Sequence, residues 1–423
     1  MVVLGVSSLG LAAGLVGTFL LLRKRALLGD ALSHATLPGI GLAFLVMVAL
    51  GGTGRSLAGL LFGATVAGVL GVAGVLLIVH LTRIKEDAAL GIVLSAFFGL
   101  GIALFGLIQN LGTGHAAGLK SFIYGKTASM LWSDAVLTMV TAGVAAAVCL
   151  VLFKEFKLLC FDAQYAAAQG WPVVWLDVVM MALVVVVTVI GLQAVGLILM
   201  IALLVVPPAA ARFWTNHLPT MLAASGLLGA VSGLVGAALS ALLPRLPAGA
   251  IIVVVAGVFF LVSLLCGRAR GLLPRYLDHR RVTAKVARLN LLRAMYELGE
   301  VAGPGAPPVN RAALLHHRTW SPRELTRALA AARRTGLVAP AAAASFVLTA
   351  TGAAAAWRAA RNHRLWELFL IAHADIAPSQ VDRVADEVEH AVDANLLAAL
   401  ERQLAEQYPD LAVPPSPHRL VPP

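Results

Sequence analysis

Apolar stretches of twenty or so residues, each closed by a short polar or glycine-rich connection, fill the first two-thirds of the chain. About 20 apolar residues are enough to cross a bilayer as a helix. The pattern therefore predicts nine spans, at 2–22, 26–50, 57–80, 88–110, 132–153, 174–193, 194–212, 220–243 and 249–267. From Gly267 onward the pattern changes. Apolar residues recur at helical spacing in VARLNLLRAMYELGE (286–300), and GPGAPP (303–308) reads as a loop. RAALLHHRTWSPRELTRALAAARRTGLVAP (311–340) reads as helix, turn, helix. In it Ser321, Pro322 and Glu324 make a capping-box start and Gly336 a stop. SFVLTATG (345–352) follows as a wing strand, completing a winged-helix pattern.

Composition agrees with this division. Sixty per cent of the residues are apolar, 13% are charged and the mean hydropathy is +0.88, whereas a soluble domain carries about 25% charged residues. The net charge of +11 would suit nucleic acid, but in a membrane protein Lys and Arg collect in cytoplasmic loops. One set of alternate connections holds Arg23, Lys24, Arg25, Arg83, Lys85, Lys154, Lys157 and Arg212; the other holds Arg55, Lys120, Lys126 and Arg245. This bias places the N-terminus outside and the basic tail, with Arg268, Arg270 and Arg275, in the cytoplasm. The first apolar stretch is followed at once by another with no small-residue cleavage pattern, so it reads as a span and not as a signal peptide. Cys149, Cys160 and Cys266 form no CxxC pair, so neither a disulfide framework nor a thiolate zinc site is indicated. Glycines and alanines three or four apart, as in LFGATVAGVLGVAG (61–74), predict close helix packing.

One segment carries chemistry. GDALSHATLPG (29–39) places Asp30 and His34 one helical turn apart inside an apolar span. An ionised side chain in the bilayer costs about 3 kcal/mol on insertion scales, so Asp30 belongs to a wet cavity or holds a cation. Residues i and i+4 share a helix face, which lets Asp30 and His34 bind one ion through an oxygen and a nitrogen. Ser33 and Thr36 add hydroxyls nearby. Pro38 cannot donate to the carbonyl of His34, leaving an acceptor free and favouring a kink. The residues alone leave a second reading open, in which Asp30 caps the helix near Arg23–Arg25 and His34 bonds a neighbour. YGKT (124–127) has the ending of a phosphate-binding loop, but that motif needs a glycine where Lys120 stands. No ATP site is expected in the chain.

GDALSHATLPGIGLAFL (29–45) resembles the signature of the ABC-3 family, the integral permeases of manganese, zinc and iron ABC importers. TRIKEDAALGIVLSAFFGLGIAL (82–104), KLLCFDAQYAAAQG (157–170) and GLILMIALLVVPPAAAR (196–212) are similar to further family segments in the expected order. The resemblance implies that Asp30 and His34 ligate the cation in the translocation pathway. It also implies that 154–171 is the coupling helix docking on a separate ABC ATPase subunit, with Phe161, Asp162 and Gly170 at its recurrent positions. Further implied partners are an extracytoplasmic metal-binding protein, a second permease copy or paralogue forming a dimer, and the lipids of a bacterial plasma (inner) membrane. No permanently bound cofactor is expected, and the chain is expected to be a non-catalytic subunit. Two oxygens and two nitrogens from such a pair of permeases suit a borderline divalent ion.

RNHRLWELFL (361–370) followed by VDRVADEVEHAVDANLLAALE (381–401) resembles the diphtheria-toxin-repressor family of metal-dependent regulators. The resemblance implies a regulatory metal site of His363, Asp386, Glu389 and His390, the last three sharing one helix face at i, i+3 and i+4. The family's remaining ligands fall at Ala287 and Asn290, which are poor donors. The expected architecture is an all-α polytopic membrane protein with a cytoplasmic winged-helix α+β domain and a helical metal-binding or dimerisation part. Its divisions are a permease domain at 1–268, a basic juxtamembrane linker at 269–285, a winged helix at 286–358, a helical metalloregulator-like domain at 359–410 and a disordered Pro-rich tail at 411–423. The expected function is ATP-driven import of a divalent transition metal, manganese favoured over zinc or iron, with the tail as a sensor or dimerisation module and DNA not expected as its partner. Two alternatives are a secondary carrier using Asp30 as a proton or sodium site and a membrane-tethered metal-responsive transcription regulator.

Overall fold

The structure, a computed structural model, describes residues 1–52, 54, 56–110, 130–242, 247–302, 308–318, 320–341, 344–374, 381 and 402. Asp386, Glu389, His390, the YGKT stretch, Arg55, Lys120, Lys126, Arg245 and the tail at 411–423 lie outside them. The chain forms two compact units, Met1–Arg275 and Tyr276–Pro423.

The first unit is helical throughout: α1 (Val2–Leu22), α2 (Leu28–Ala49), α3 (Leu57–Leu81), α4 (Glu86–Asn110), α5 (Trp132–Val151), α6 (Phe153–Phe161), α7 (Ala163–Ala168), α8 (Val173–Val195), α9 (Leu197–Arg212), α10 (Leu218–Leu242) and α11 (Ala248–Cys266). Among the described residues, eight of these helices are long and apolar enough to cross a membrane, against nine spans expected. The difference is α9. It has 16 residues, and at about 1.5 Å per residue it falls short of the roughly 30 Å hydrocarbon core. The apolar block 174–212 breaks at Gly196, where φ is +84° and ψ 171°, a conformation a side chain would resist. The chain turns back sharply enough there for Gly191 to abut the Met200 side chain.

The bundle is organised around α1, which is buried on nearly every face and packs against α5, α8, α9 and α10. A helix apolar all round belongs in the interior, and the glycines of α1 allow its neighbours to close in. A Cβ on Gly10 would fall on the Gly229 carbonyl of α10, one on Gly14 on the Ser225 carbonyl, and one on Gly17 on the Leu204 carbonyl of α9. The Ser225 hydroxyl uses this proximity, donating to the Gly14 carbonyl at 2.7 Å in a buried contact. On the other side, α2 packs on α3 through Gly39 and Gly63, and on α4 through Gly101, which faces Leu37 and Pro38. α2 is continuous from Leu28 to Ala49 through Pro38.

In the second unit, α12 (Leu272–Ala302) leads to β1 (Val309–Asn310), α13 (Arg311–His317), α14 (Pro322–Arg334), β2 (Val338–Pro340), β3 (Ser345–Leu348) and α15 (Ala350–Ala374). The residues of α12 from Tyr276 onward belong to this unit. The stretch expected as a linker is helical from Leu272 and runs unbroken into the helix expected at 286–300. The three strands form an antiparallel sheet in the order β1-β3-β2. Helix, turn, helix and wing thus occur where the pattern put them, although only β3 was legible as a strand. The capping box is present: Ser321 Oγ accepts from the Glu324 N–H at 3.2 Å, and Glu324 Oε2 accepts from the Ser321 N–H at 2.9 Å. The Ser321 backbone bond, with its hydroxyl second, holds the Glu324 carboxyl below the usual range. The contribution of this cap is complete above the ordinary carboxylate pKa and fades as pH falls through the lowered value. A core of Leu291, Leu292, Met295, Leu298, Leu314, Leu325, Leu329 and Val338 closes the domain.

Candidate functional site

Between Leu28 and Gly41, every residue of α2 is buried except Asp30 and His34. The Asp30 side chain is 33% exposed and that of His34 20%. His34 Nε2 lies 3.4 Å from Asp30 Oδ1. Two donors each about 2.1 Å from a tetrahedrally held ion would lie about 3.4 Å apart, so the pair is spaced to share one cation without rearrangement. The imidazole is fixed by an edge contact with Phe98 of α4, ring centroids 4.8 Å apart. Its Nδ1 is buried with no hydrogen-bond partner among the described residues. Asp30 occupies the first turn of α2, where the helix dipole favours a carboxylate. The pair therefore lies within the first two turns of α2, near one end of the bundle and not at its middle.

Two expected details are corrected. The Ser33 hydroxyl donates to the Gly29 carbonyl at 2.7 Å and the Thr36 hydroxyl to the Ser33 carbonyl at 2.8 Å. Both are buried and turned to their own helix, as hydroxyls in apolar surroundings commonly are. Neither joins the pair. Among the described residues, no group of three or more His, Cys, Asp or Glu side chains is arranged to hold a metal ion. The chain offers two donors here.

Just before α2, Arg25 ties four elements together. Its guanidinium lies within 2.8 Å of both oxygens of Asp177 on α8 and pairs with Glu86 at the start of α4. Arg23 reaches the same Asp177 at 3.1 Å and donates to the Leu159 carbonyl of α6 at 3.1 Å. Two cations and two carboxylates balance, which is the condition for sheltering them. The sequence reading did not single out Asp177 and Glu86; a lone acid inside an apolar window was the available signal for Asp177. Asp177→Ala leaves two guanidinium groups facing each other. It should destabilise the protein by about 3 kcal/mol, read as a lower unfolding temperature in detergent, with Asp177→Glu recovering most of it.

The loop at 154–171 is held to this network. Phe156 and Leu159 are buried, Phe156 edge-on to Phe19 of α1 with centroids 5.2 Å apart. Asp162 separates α6 from α7 and caps α7, its Oδ1 accepting from the Tyr165 N–H at 2.8 Å. Gly170 has φ +81°, a turn that suits glycine and returns the chain to α8. With its inner face anchored, the loop exposes Phe161 (65%) and Tyr165 (52%). Beside Phe161, a cavity of about 250 Å³ is lined by Leu22, Arg212, Asn216 and Arg270.

Of the residues expected to form a second metal site, only His363 is described, on α15. It is fully buried and hydrogen-bonded to Arg293 of α12. Arg293 and Glu367 were not singled out in the sequence, although His363 and Glu367 stand at i, i+4 and their side chains are 3.4 Å apart.

A polytopic helical bundle with a cation-spaced acid–imidazole pair, an anchored aromatic loop and an appended winged-helix unit defines a membrane transport subunit fused to a regulator-like domain. Residues 1–267 match the ABC 3 transport family, and the chain belongs to that family. Residues 349–410 match the iron dependent repressor metal binding and dimerisation domain. The manganese transport system membrane protein MntC of Bacillus subtilis is 42% identical over 70% of this chain and 67% of its own length. The zinc transport system membrane protein TroC of Treponema pallidum is 44% identical over 67% of this chain and 93% of its own. A probable metal transport system membrane protein of Chlamydia trachomatis, 26% identical, spans 95% of this chain. Among solved structures, PsaBC from Streptococcus pneumoniae in complex with Fab aligns with a TM-score of 0.56 at 31% identity, over 66% of this chain and 94% of that one.

Proposed function

We propose that the chain is the membrane permease of an ATP-driven importer of divalent transition-metal cations, manganese favoured and zinc or iron alternative cargoes, and that a partner subunit hydrolyses the ATP. The observation that carries this reading is the Asp30–His34 pair, spaced for one ion and the sole break in the packed first half of α2. Two donors do not complete a coordination shell. A second permease copy or paralogue supplies the other pair, and water fills what remains. An extracytoplasmic metal-binding protein delivers the ion to the outer face in a bacterial plasma membrane.

The exposed Phe161 and Tyr165 are the face offered to the ATPase. Asp162 and Gly170 set the loop's shape, and the Arg23–Asp177–Arg25–Glu86 network is placed to pass its movement to the starts of α2 and α4. That the network, the loop, Arg212 and Arg270 gather at one end of the bundle supports a cytoplasmic position for this end and for the C-terminal domain.

The test is reconstitution into vesicles with and without the cognate ATPase subunit. Manganese or zinc is expected to enter only when both ATPase and ATP are present. Entry driven by a proton or sodium gradient without an ATPase would overturn the proposal in favour of a secondary carrier.

A further inference from the structure

The regulator-like domain implies a bound metal. His363 is the expected ligand that the structure describes, and a metal-binding imidazole must present the lone pair of an unprotonated nitrogen. Neither ring nitrogen is available. Nδ1 faces the guanidinium Nη1 of Arg293, a group that always donates and never accepts. Nδ1 is consequently the acceptor, and its lone pair is engaged. The ring proton sits on Nε2, which faces Glu367 Oε1 at 3.4 Å. The surroundings reinforce this. Arg293 is 1% exposed, His363 and Glu367 0%, and Glu297 3%. Glu297 lies 3.3 Å from Arg293 Nε through one oxygen and 2.9 Å from His317 Nε2 through the other. The buried guanidinium, between the Glu297 carboxylate and the His363 imidazole, takes the place that a metal ion would take among such donors.

We propose that Arg293 is the permanent cation of this domain: its guanidinium stands where an ion bound by His363 would stand, so this position binds no metal and holds the same arrangement whatever the metal supply. A metal ion entering beside Nδ1 would meet a fixed positive charge within a few ångströms, in surroundings with little water to screen it. The helices that carry Arg293 and His363, α12 and α15, are locked by a side chain from within. A domain of metalloregulator descent becomes, at this position, a structural one.

The test measures metal bound per chain in the full-length protein, with Asp30→Ala and His34→Ala present to remove the transport pair. Manganese and zinc are each equilibrated by dialysis and counted by elemental analysis. The expected result is that adding His363→Ala changes neither count. A loss of about one equivalent on His363→Ala would overturn the proposal, and this arm needs no variant at Arg293. In the second arm, Arg293→Gln removes the charge and keeps much of the bulk. It is expected to gain about one equivalent that disappears again with His363→Ala. A folded Arg293→Gln protein that binds no more metal than its parent would overturn the claim that the guanidinium holds the ion's place.

Discussion

Asp30→Ala and His34→Ala should each abolish divalent-metal uptake while the protein still assembles with its ATPase. Loss of a residue that merely supports a metal ligand costs about 10–100-fold in affinity; loss of one of only two donors should reduce transport by at least about 100-fold. The structure makes the experiment clean, because both side chains reach the surface of α2 while their neighbours are packed. Removing either takes away no core contact on which the bundle depends. Asp30→Asn sharpens the argument: it keeps the shape and an oxygen but not the charge, and should fall with the alanine variant. The measurement is radioactive manganese or zinc uptake, with co-purification of the ATPase as the assembly control. Retained uptake in both alanine variants would remove the pair from the pathway.

Gly229→Leu should prevent the bundle from forming. Gly10 and Gly229 meet backbone to backbone, each placed so that a Cβ would fall on the other's carbonyl oxygen. Overpacking that side chains can relieve costs about 1–3 kcal/mol. Here no flexible side chain can give way, so α1 and α10 must separate along the seam where Ser225 bonds to Gly14. A loss of more than about 3 kcal/mol is expected, a large share of the roughly 5–15 kcal/mol that holds a typical protein folded. It would be read as aggregation in place of a monodisperse peak in detergent. Gly143→Leu, at an exposed position of α5 with nothing within 4 Å, should leave folding unchanged. Equal behaviour of the two variants would show that the seam is not what holds the helices.

The spans were legible because membrane crossing is read from length and apolarity alone, and the acid–imidazole pair because i and i+4 fix a shared helix face. The capping box at Ser321 and Glu324 was legible for a similar reason, since all its atoms lie within one turn. What escaped the sequence is what depends on distant partners. The sequence left open where the block 174–212 divides, because Gly196 ends α8 with a backbone angle that composition does not announce. Ser33 and Thr36, expected to add hydroxyls beside the pair, are spent on their own helix. Asp177 and Glu86 gain meaning only when the fold brings Arg23 and Arg25 to them. Strands β1 and β2, of two and three residues, are too short for an alternating pattern and exist because β3 pairs with both.

The seam between α1 and α10 joins residues 211 positions apart. The part of α1 that carries Gly10 and Gly14 must therefore wait for its partner until a late helix has been synthesised and inserted. During that interval α1 can pack on α5, α8 and α9, but the side that receives α10 stays open. The central seam of the bundle is consequently closed by one of the last membrane helices to be made.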